Sequence, residues 1–121
     1  MTELEQRSRQ DVAVAAKLFR GFADPTRLAI LLELLEGERR VVDLVERVGG
    51  SQSNISGHLA CLKDCGLVTD RPAGRASLYR LASPAAVDLL RHAEHVLAET
   101  GHAVALCPNY DDDHTAPAAP S

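Results

Sequence analysis

The chain has no tryptophan and few other aromatic residues, namely Phe19, Phe22, Tyr79 and Tyr110. A core therefore has to be assembled from Leu, Val, Ile and Ala, a composition that suits helices packed on helices. No stretch approaches the ~20 apolar residues of a membrane span, and Met1–Gln10 is charged and lacks the apolar stretch of a secretory signal. These absences point to a soluble cytoplasmic protein with no membrane partner. Three cysteines are more readily ligands or free thiols in a reducing compartment than a disulfide framework. No glycine-rich phosphate loop and no Cys-His-Asn arrangement occurs. A domain this small offers little pocket, so a cysteine-dependent enzyme is set aside.

Excess positive charge is missing too. The net charge of −4 argues at first against a nucleic-acid partner. Its distribution along the chain argues the other way. Between Arg20 and Arg80 nine basic residues face eight acidic ones, whereas beyond residue 80 one basic residue faces six acidic ones. The acidity is concentrated towards the C-terminus, and a docking surface only has to be basic locally.

With 121 residues the chain has room for one domain. Leu4, Val12, Ala15, Leu18 and Phe19 predict an amphipathic helix over residues 3–20. Asp24 and Pro25 are a cap and first residue for a second helix, whose apolar run Leu28, Ile30, Leu31, Leu34 and Leu35 is stopped by Gly37. A short third helix covers Val41–Val48, and Gly49-Gly50 breaks it. Ser51 caps a fourth helix running to about Cys65, with Ile55, Leu59 and Leu62 inward and Gly66 at its end. A short helix, a glycine turn and a helix with a polar N-terminal half form a helix-turn-helix pattern. Leu67–Arg71 and Ala76–Leu81, flanking Pro72-Ala73-Gly74-Arg75, predict a β-hairpin, and so a wing. Ser83-Pro84 opens a fifth helix to about Thr100, with Val87, Leu90, Ala93, Val96 and Leu97 along one side. The expected fold is mainly α with a hairpin wing, a winged helix-turn-helix over residues 1–100. Residues 101–121 form a C-terminal tail contributing Cys107, disordered towards its Asp-, Ala- and Pro-rich end.

Phe22-Ala23-Asp24-Pro25-Thr26-Arg27-Leu28-Ala29-Ile30-Leu31, then Ser51-Gln52-Ser53-Asn54-Ile55-Ser56-Gly57-His58-Leu59, Gly66-Leu67-Val68 and Tyr79-Arg80-Leu81 occur in that order. Together they resemble the ArsR/SmtB family of metal-responsive repressors over roughly residues 12–100. The resemblance implies a dimer of winged helices that represses a metal-export or detoxification operon and releases DNA when its inducer binds. Cys61-Leu62-Lys63-Asp64-Cys65, with Cys107 in the tail, looks like the cadmium- and lead-sensing CmtR subgroup of that family.

On a helix advancing ~100° per residue, Leu59 and Leu62 lie within ~40° of Ile55. Gln52, Ser53, Ser56, Ala60 and Lys63 lie ~60° to 160° round on one side, and this is the side expected in the major groove of double-stranded operator DNA. Ser and Gln suit base edges or phosphates, and Lys63 suits backbone charge. Asn54, His58, Cys61 and Cys65 lie ~60° to 120° round on the other side, and Asn54 is near enough to the helix start to reach a phosphate. Arg71, Arg75 and Arg80 lie on or beside the wing, and Arg71 and Arg75 are expected to contact DNA. Arg75, after the glycine turn, is the candidate for the minor groove or a phosphate.

Cys61 and Cys65 are one helical turn apart. Alone they could be two small buried hydrophobes, but Cys107, followed by Pro108 outside the regular elements, makes a three-thiolate set. Soft thiolates favour soft cations, so Cd(II) or Pb(II) is the expected inducer, with As(III) or Zn(II) as alternatives and no organic cofactor. His58, His102 or a tail Asp can supply a further ligand. Whether Cys107 comes from the same or the partner subunit stays open from spacing alone; the resemblance implies the partner. Asp88, His92, His95 and His102 raise a second site on the fifth helix, but Leu90 breaks the family's pattern there.

The expected mechanism is a two-state homodimer joined through the first and fifth helices. Its recognition helices match half-sites ~34 Å apart until metal binding favours another geometry. Complete switching takes about 5.5 kcal/mol of differential affinity, within reach of thiolate–metal binding. The principal rival is a repressor of the same fold that senses thiol oxidation or reactive sulfur through the same cysteines.

Overall fold

The structure is a computed structural model describing residues 2–101. His102, Cys107 and the rest of the expected tail lie outside the described residues.

Helix α1 spans Glu3–Ala23. Thr2 opens it, accepting from the Glu5 N–H at 3.1 Å while the Glu5 carboxylate accepts from the Thr2 N–H, also at 3.1 Å. The helix ends at Ala23 rather than at the expected residue 20. Pro25 sets the limit, because a residue before proline is pushed out of the helical region, and Asp24 is extended at φ −88° and ψ 131°. Asp24 then caps helix α2, Pro25–Leu34, accepting from the N–H groups of Thr26 and Arg27 at 2.9 and 3.0 Å. Arg27 reaches back to the carbonyls of Gly21 and Arg20, covering acceptors left open at the end of α1.

Helix α3, Val41–Val48, buries Leu44, and Gly49 at φ 98° terminates it in a conformation that residues with a Cβ rarely adopt. Helix α4, Gln52–Asp64, begins with Ser51 accepting from the Asn54 N–H at 3.0 Å. Ile55, Leu59 and Leu62 on α4 are fully buried and meet Ile30, Leu31, Leu34 and Leu44 in one core cluster with Leu67 and Val68. The three inward positions read from the helical period are the three that are buried.

Strands β1, Val68–Ala73, and β2, Ala76–Leu81, pair antiparallel from Val68↔Leu81 to Ala73↔Ala76. The expected first strand, Leu67–Arg71, is therefore shifted, and the turn shrinks to Gly74-Arg75 with Gly74 at φ 68°. Pro72 is tolerated within β1 for a geometric reason. Tyr79 exchanges both backbone hydrogen bonds with Arg39, on the edge of β2 away from β1. The Asp70↔Tyr79 and Pro72↔Ser77 pairs share that parity, so the N–H that proline lacks would have pointed to solvent. Helix α5, Pro84–Glu99, buries Ala86 and Leu90.

Helices α1 and α5 keep apolar surface exposed. Phe19 is 57% and Val96 59% exposed, and a groove of about 420 Å³ runs between Phe19 and Phe22 of α1, Leu28 of α2, and Leu89, Ala93 and Leu97 of α5.

Two glycines within helices make opposite predictions. A Cβ on Gly21 would stand 2.9 Å from Leu67 Cδ1 and 3.4 Å from Cys65 Sγ, whereas one on Gly57 would meet nothing within 4 Å. Urea denaturation of Gly57→Ala is expected to show a gain of about 0.5–1 kcal/mol from helix propensity. In Gly21→Ala that gain is outweighed by overpacking against buried Leu67, for a net loss of about 1 kcal/mol. Asp24 supplies a pH test. The Arg27 N–H, aided by His58 and the Thr26 N–H, holds its carboxyl below the ordinary value against the opposing effect of burial. A depressed folded-state value gives a stabilisation that is complete above the unfolded value, about pH 4, and lost as pH falls through the folded one. The urea midpoint of Asp24→Asn is therefore expected to fall less than that of the parent between pH 6 and pH 3.

Candidate DNA and metal face of the fourth helix

Helix α4 is fixed at its N-terminus by the Ser51 cap and along its length by the buried stripe, which leaves two flanks with different neighbours. Gln52, Ser53, Asn54, Ser56 and Lys63 are all exposed. Lys63 Nζ lies 2.8 Å from Asp70 Oδ1 on β1, and this bond raises the lysine pKa above its ordinary value. The polar flank thus adjoins the wing. At the wing tip Arg75 is exposed beside Gly74. Arg71 is also exposed but engaged, with Nε at 2.9 Å and Nη2 at 2.8 Å from the two carboxylate oxygens of Glu38.

The opposite flank turns towards the first two helices. Cys65 is half-buried, and its Sγ lies 3.5 Å from the Lys17 carbonyl oxygen of α1, as an S–H donor would. Gly21 makes this approach possible, since its missing Cβ is the space that Cys65 and Leu67 occupy. Lys17 Nζ lies 2.7 Å from Asp64 Oδ2, adding an ion pair at the same α1–α4 contact. Cys61, one turn earlier, is exposed. His58 Nδ1 stands 3.9 Å from Asp24 Oδ2, with a side chain only 20% exposed, so it meets the corner between α1 and α2.

Two thiols on one flank, one open and one half-buried, are a donor set for a soft cation. They do not complete a site. Among the described residues no group of three or more His, Cys, Asp or Glu side chains is placed to hold a metal. A third donor for such a cation would have to come from outside the described residues or from another subunit; Cys107 and His102 both lie outside the described residues. On α5, His92 Nδ1 lies 2.8 Å from the Asp88 carbonyl, and the His92 and His95 rings are 6.1 Å apart and tilted. They bring no third ligand together.

Sequence reasoning missed the partners. Glu38 for Arg71 and Lys17 for Cys65 join segments far apart in the chain, and Asp70 for Lys63 joins α4 to the strand that follows it; no periodicity announces such pairs. Gly21 carried no distinct signal either: Gly57, also within a helix, has open space where its Cβ would be.

Comparison with known proteins places the fold in a family. A family profile described as bacterial regulatory protein, arsR family, matches residues 24–70. A probable mercury resistance operon repressor from Streptomyces lividans is 41% identical over 92 residues, covering 76% of this chain and 74% of the relative. The transcriptional regulator CmtR of Mycobacterium tuberculosis is 46% identical over 67 residues, which is 55% of this chain and 57% of that protein. The structure of NolR from Sinorhizobium fredii is similar with a TM-score of 0.71 and 30% identity, covering 79% of this chain and 96% of that one. A homodimeric winged helix-turn-helix DNA-binding domain of a possible ArsR-family regulator from Mycobacterium bovis has a TM-score of 0.67 and 27% identity, over 81% of this chain and 93% of that one. Its helix-turn-helix, its hairpin wing and these relatives together make the chain a member of the ArsR/SmtB family of winged-helix, metal-responsive transcriptional repressors, not an enzyme.

Proposed function

We propose that this protein is a homodimeric repressor that binds operator DNA through α4 and the wing and lets go when a thiophilic metal binds Cys61, Cys65 and Cys107. One observation carries the reading: Cys65, on the recognition helix, is lodged against the Lys17 carbonyl and Gly21 of α1. A ligand drawing on Cys61 and Cys65 acts on the contact between α4 and α1 without touching the flank that carries Gln52, Ser53, Ser56 and Lys63. Release then needs no obstruction of the groove.

The dimer is supported by apolar surface that the single chain leaves uncovered. Phe19 and Val96 border the groove between α1 and α5, and burying the exposed part of each would contribute about 1–2 kcal/mol. The M. bovis neighbour is itself described as homodimeric. In such a dimer α1 belongs both to the subunit interface and to the Cys65 contact, so a shift at one is felt at the other. DNA contact falls to Gln52, Ser53, Asn54 and Ser56, with Lys63 and Arg75 on phosphate or the minor groove. Lys63, with three N–H donors and a single contact to Asp70, can take a phosphate while keeping that carboxylate.

Three thiolates favour Cd(II) or Pb(II), with Cys107 completing the set from the tail and His58 or His102 available as a further donor. His58 would first have to leave Asp24. The mercury-resistance relative supports a thiophilic inducer in general, and Hg(II) belongs beside the other two in any test.

The test is fluorescence anisotropy on an operator fragment, with the reduced protein titrated anaerobically with Cd(II), Pb(II), Hg(II), Zn(II) and As(III). Cd(II) or Pb(II) is expected to weaken binding at least about 100-fold, a coupling of about 3 kcal/mol. Cys61→Ser, Cys65→Ser and Cys107→Ser are each expected to bind DNA and to stay bound when metal is added. Release by a mild oxidant but by no metal would replace metal sensing with thiol redox sensing, and release by Hg(II) alone would change the inducer.

A further inference from the structure

Arg71 faces Glu38 across an intervening strand. β1 pairs with one edge of β2, while Arg39 pairs with Tyr79 on the other edge, so Glu38 and Arg71 stand on opposite sides of β2. Continuing the two registers sets Arg71 beside Leu78 and Glu38 beside Arg80. Leu78 and Arg80 share a face at the period of two. The Arg71 side chain therefore crosses the outer face of β2 to reach the loop between α2 and α3. Both its Nε and its Nη2 are committed there, at 2.9 and 2.8 Å. The bond holds the Glu38 carboxyl below its ordinary range, with Arg80 adding to the effect, and raises Arg71 further.

The outer face of the hairpin is thus strapped to the body of the domain, while its inner face is fixed by the preceding residue, Asp70, to Lys63 of α4. Beyond these two attachments β1 and β2 continue to the Gly74-Arg75 turn, held to each other by their own ladder. The direction in which Arg75 projects follows from the attachments at the base.

We propose that Glu38 and Arg71 are a positioning pair for the wing, and that Arg71 orients Arg75 instead of contacting phosphate itself. The proposal rests on the DNA-binding reading above. A fork with two parallel bonds fixes orientation as well as distance. A cation so engaged has to give up a carboxylate to take a phosphate, which leaves little net gain. On operator DNA the strap acts through the precision with which the tip is delivered.

A double-mutant cycle on operator and on random-sequence DNA tests this, using Glu38→Gln, Arg71→Gln and the double variant with salt varied. Each single change is expected to weaken operator binding about three- to tenfold, the scale of one partly exposed bidentate pair. The double variant is expected to be no worse than either single one. The slope of log affinity against log salt stays at the parent value, since no phosphate contact is removed. If Arg71→Gln flattens that slope by about 0.9, the value of one phosphate contact, or if Glu38→Gln tightens binding, Arg71 is a phosphate contact and the proposal falls. Amide hydrogen exchange of residues 76–81 in the free protein is an independent readout and is expected to quicken in both single variants. Should the parent protein bind no operator, the functional reading fails alone, and unchanged exchange rates would then overturn the strap.

Discussion

With Ile55, Leu59 and Leu62 withdrawn completely from solvent, helix α4 cannot turn about its axis without exposing apolar surface. Each of these side chains contributes about 1.5–3 kcal/mol by its burial, and a rotation by one residue, ~100°, would forfeit most of it. The stripe therefore decides what every other residue of the helix meets. Lys63 is brought to Asp70 of the wing, Cys65 to Lys17 of α1, and His58 to Asp24 at the corner of α1 and α2. The proposed DNA-reading flank and the thiols are compatible on one short helix because its core-facing stripe keeps the two flanks apart.

The α1–α4 contact is the place where these two tasks can influence one another. Cys65 touches α1 where Gly21 omits a side chain, and Lys17–Asp64 closes over the same contact. A packed joint of this kind has discrete arrangements and does not deform continuously, so a ligand that prefers one arrangement at the thiols biases the helix that borders the exposed groove between α1 and α5. The exposed ion pair adds little stability by itself. Its effect is on the direction in which the joint yields.

The helices were legible in the sequence because each signal was local. Leu28, Ile30, Leu31 and Leu34 show the period of α2, Asp24-Pro25 its start, and Ile55, Leu59 and Leu62 the inner face of α4. The second strand of the hairpin was placed correctly and the first was ended too early, since Pro72 reads as a turn residue unless the parity of its pairing is known, and that parity is shown by Arg39 on the far side of β2. The thiols were found by residue type, and their environment was not. Lys17 and Gly21 lie more than forty residues from Cys65, and only the packing of α1 on α4 brings them near. Glu38 and Arg71 are 33 apart and belong to no motif.

The charge balance acquires a physical meaning once these partners are known. The gain from counterion release is set by the cations free to meet phosphate and not by the net charge of −4. The structure reduces that gain by pairing Lys63 with Asp70 and Arg71 with Glu38. On the proposed reading this lowers affinity for an arbitrary stretch of DNA. Discrimination would then come from contacts that depend on sequence, the proposed ones being Gln52, Ser53 and Ser56 on the open flank of α4 and an Arg75 delivered accurately to its groove. For a repressor competing against a genome of unspecific sites, the ratio of specific to unspecific binding matters more than either affinity. Carboxylates beside the cations lower the unspecific term directly. They cost the specific term less wherever, as with Glu38, they also orient the wing.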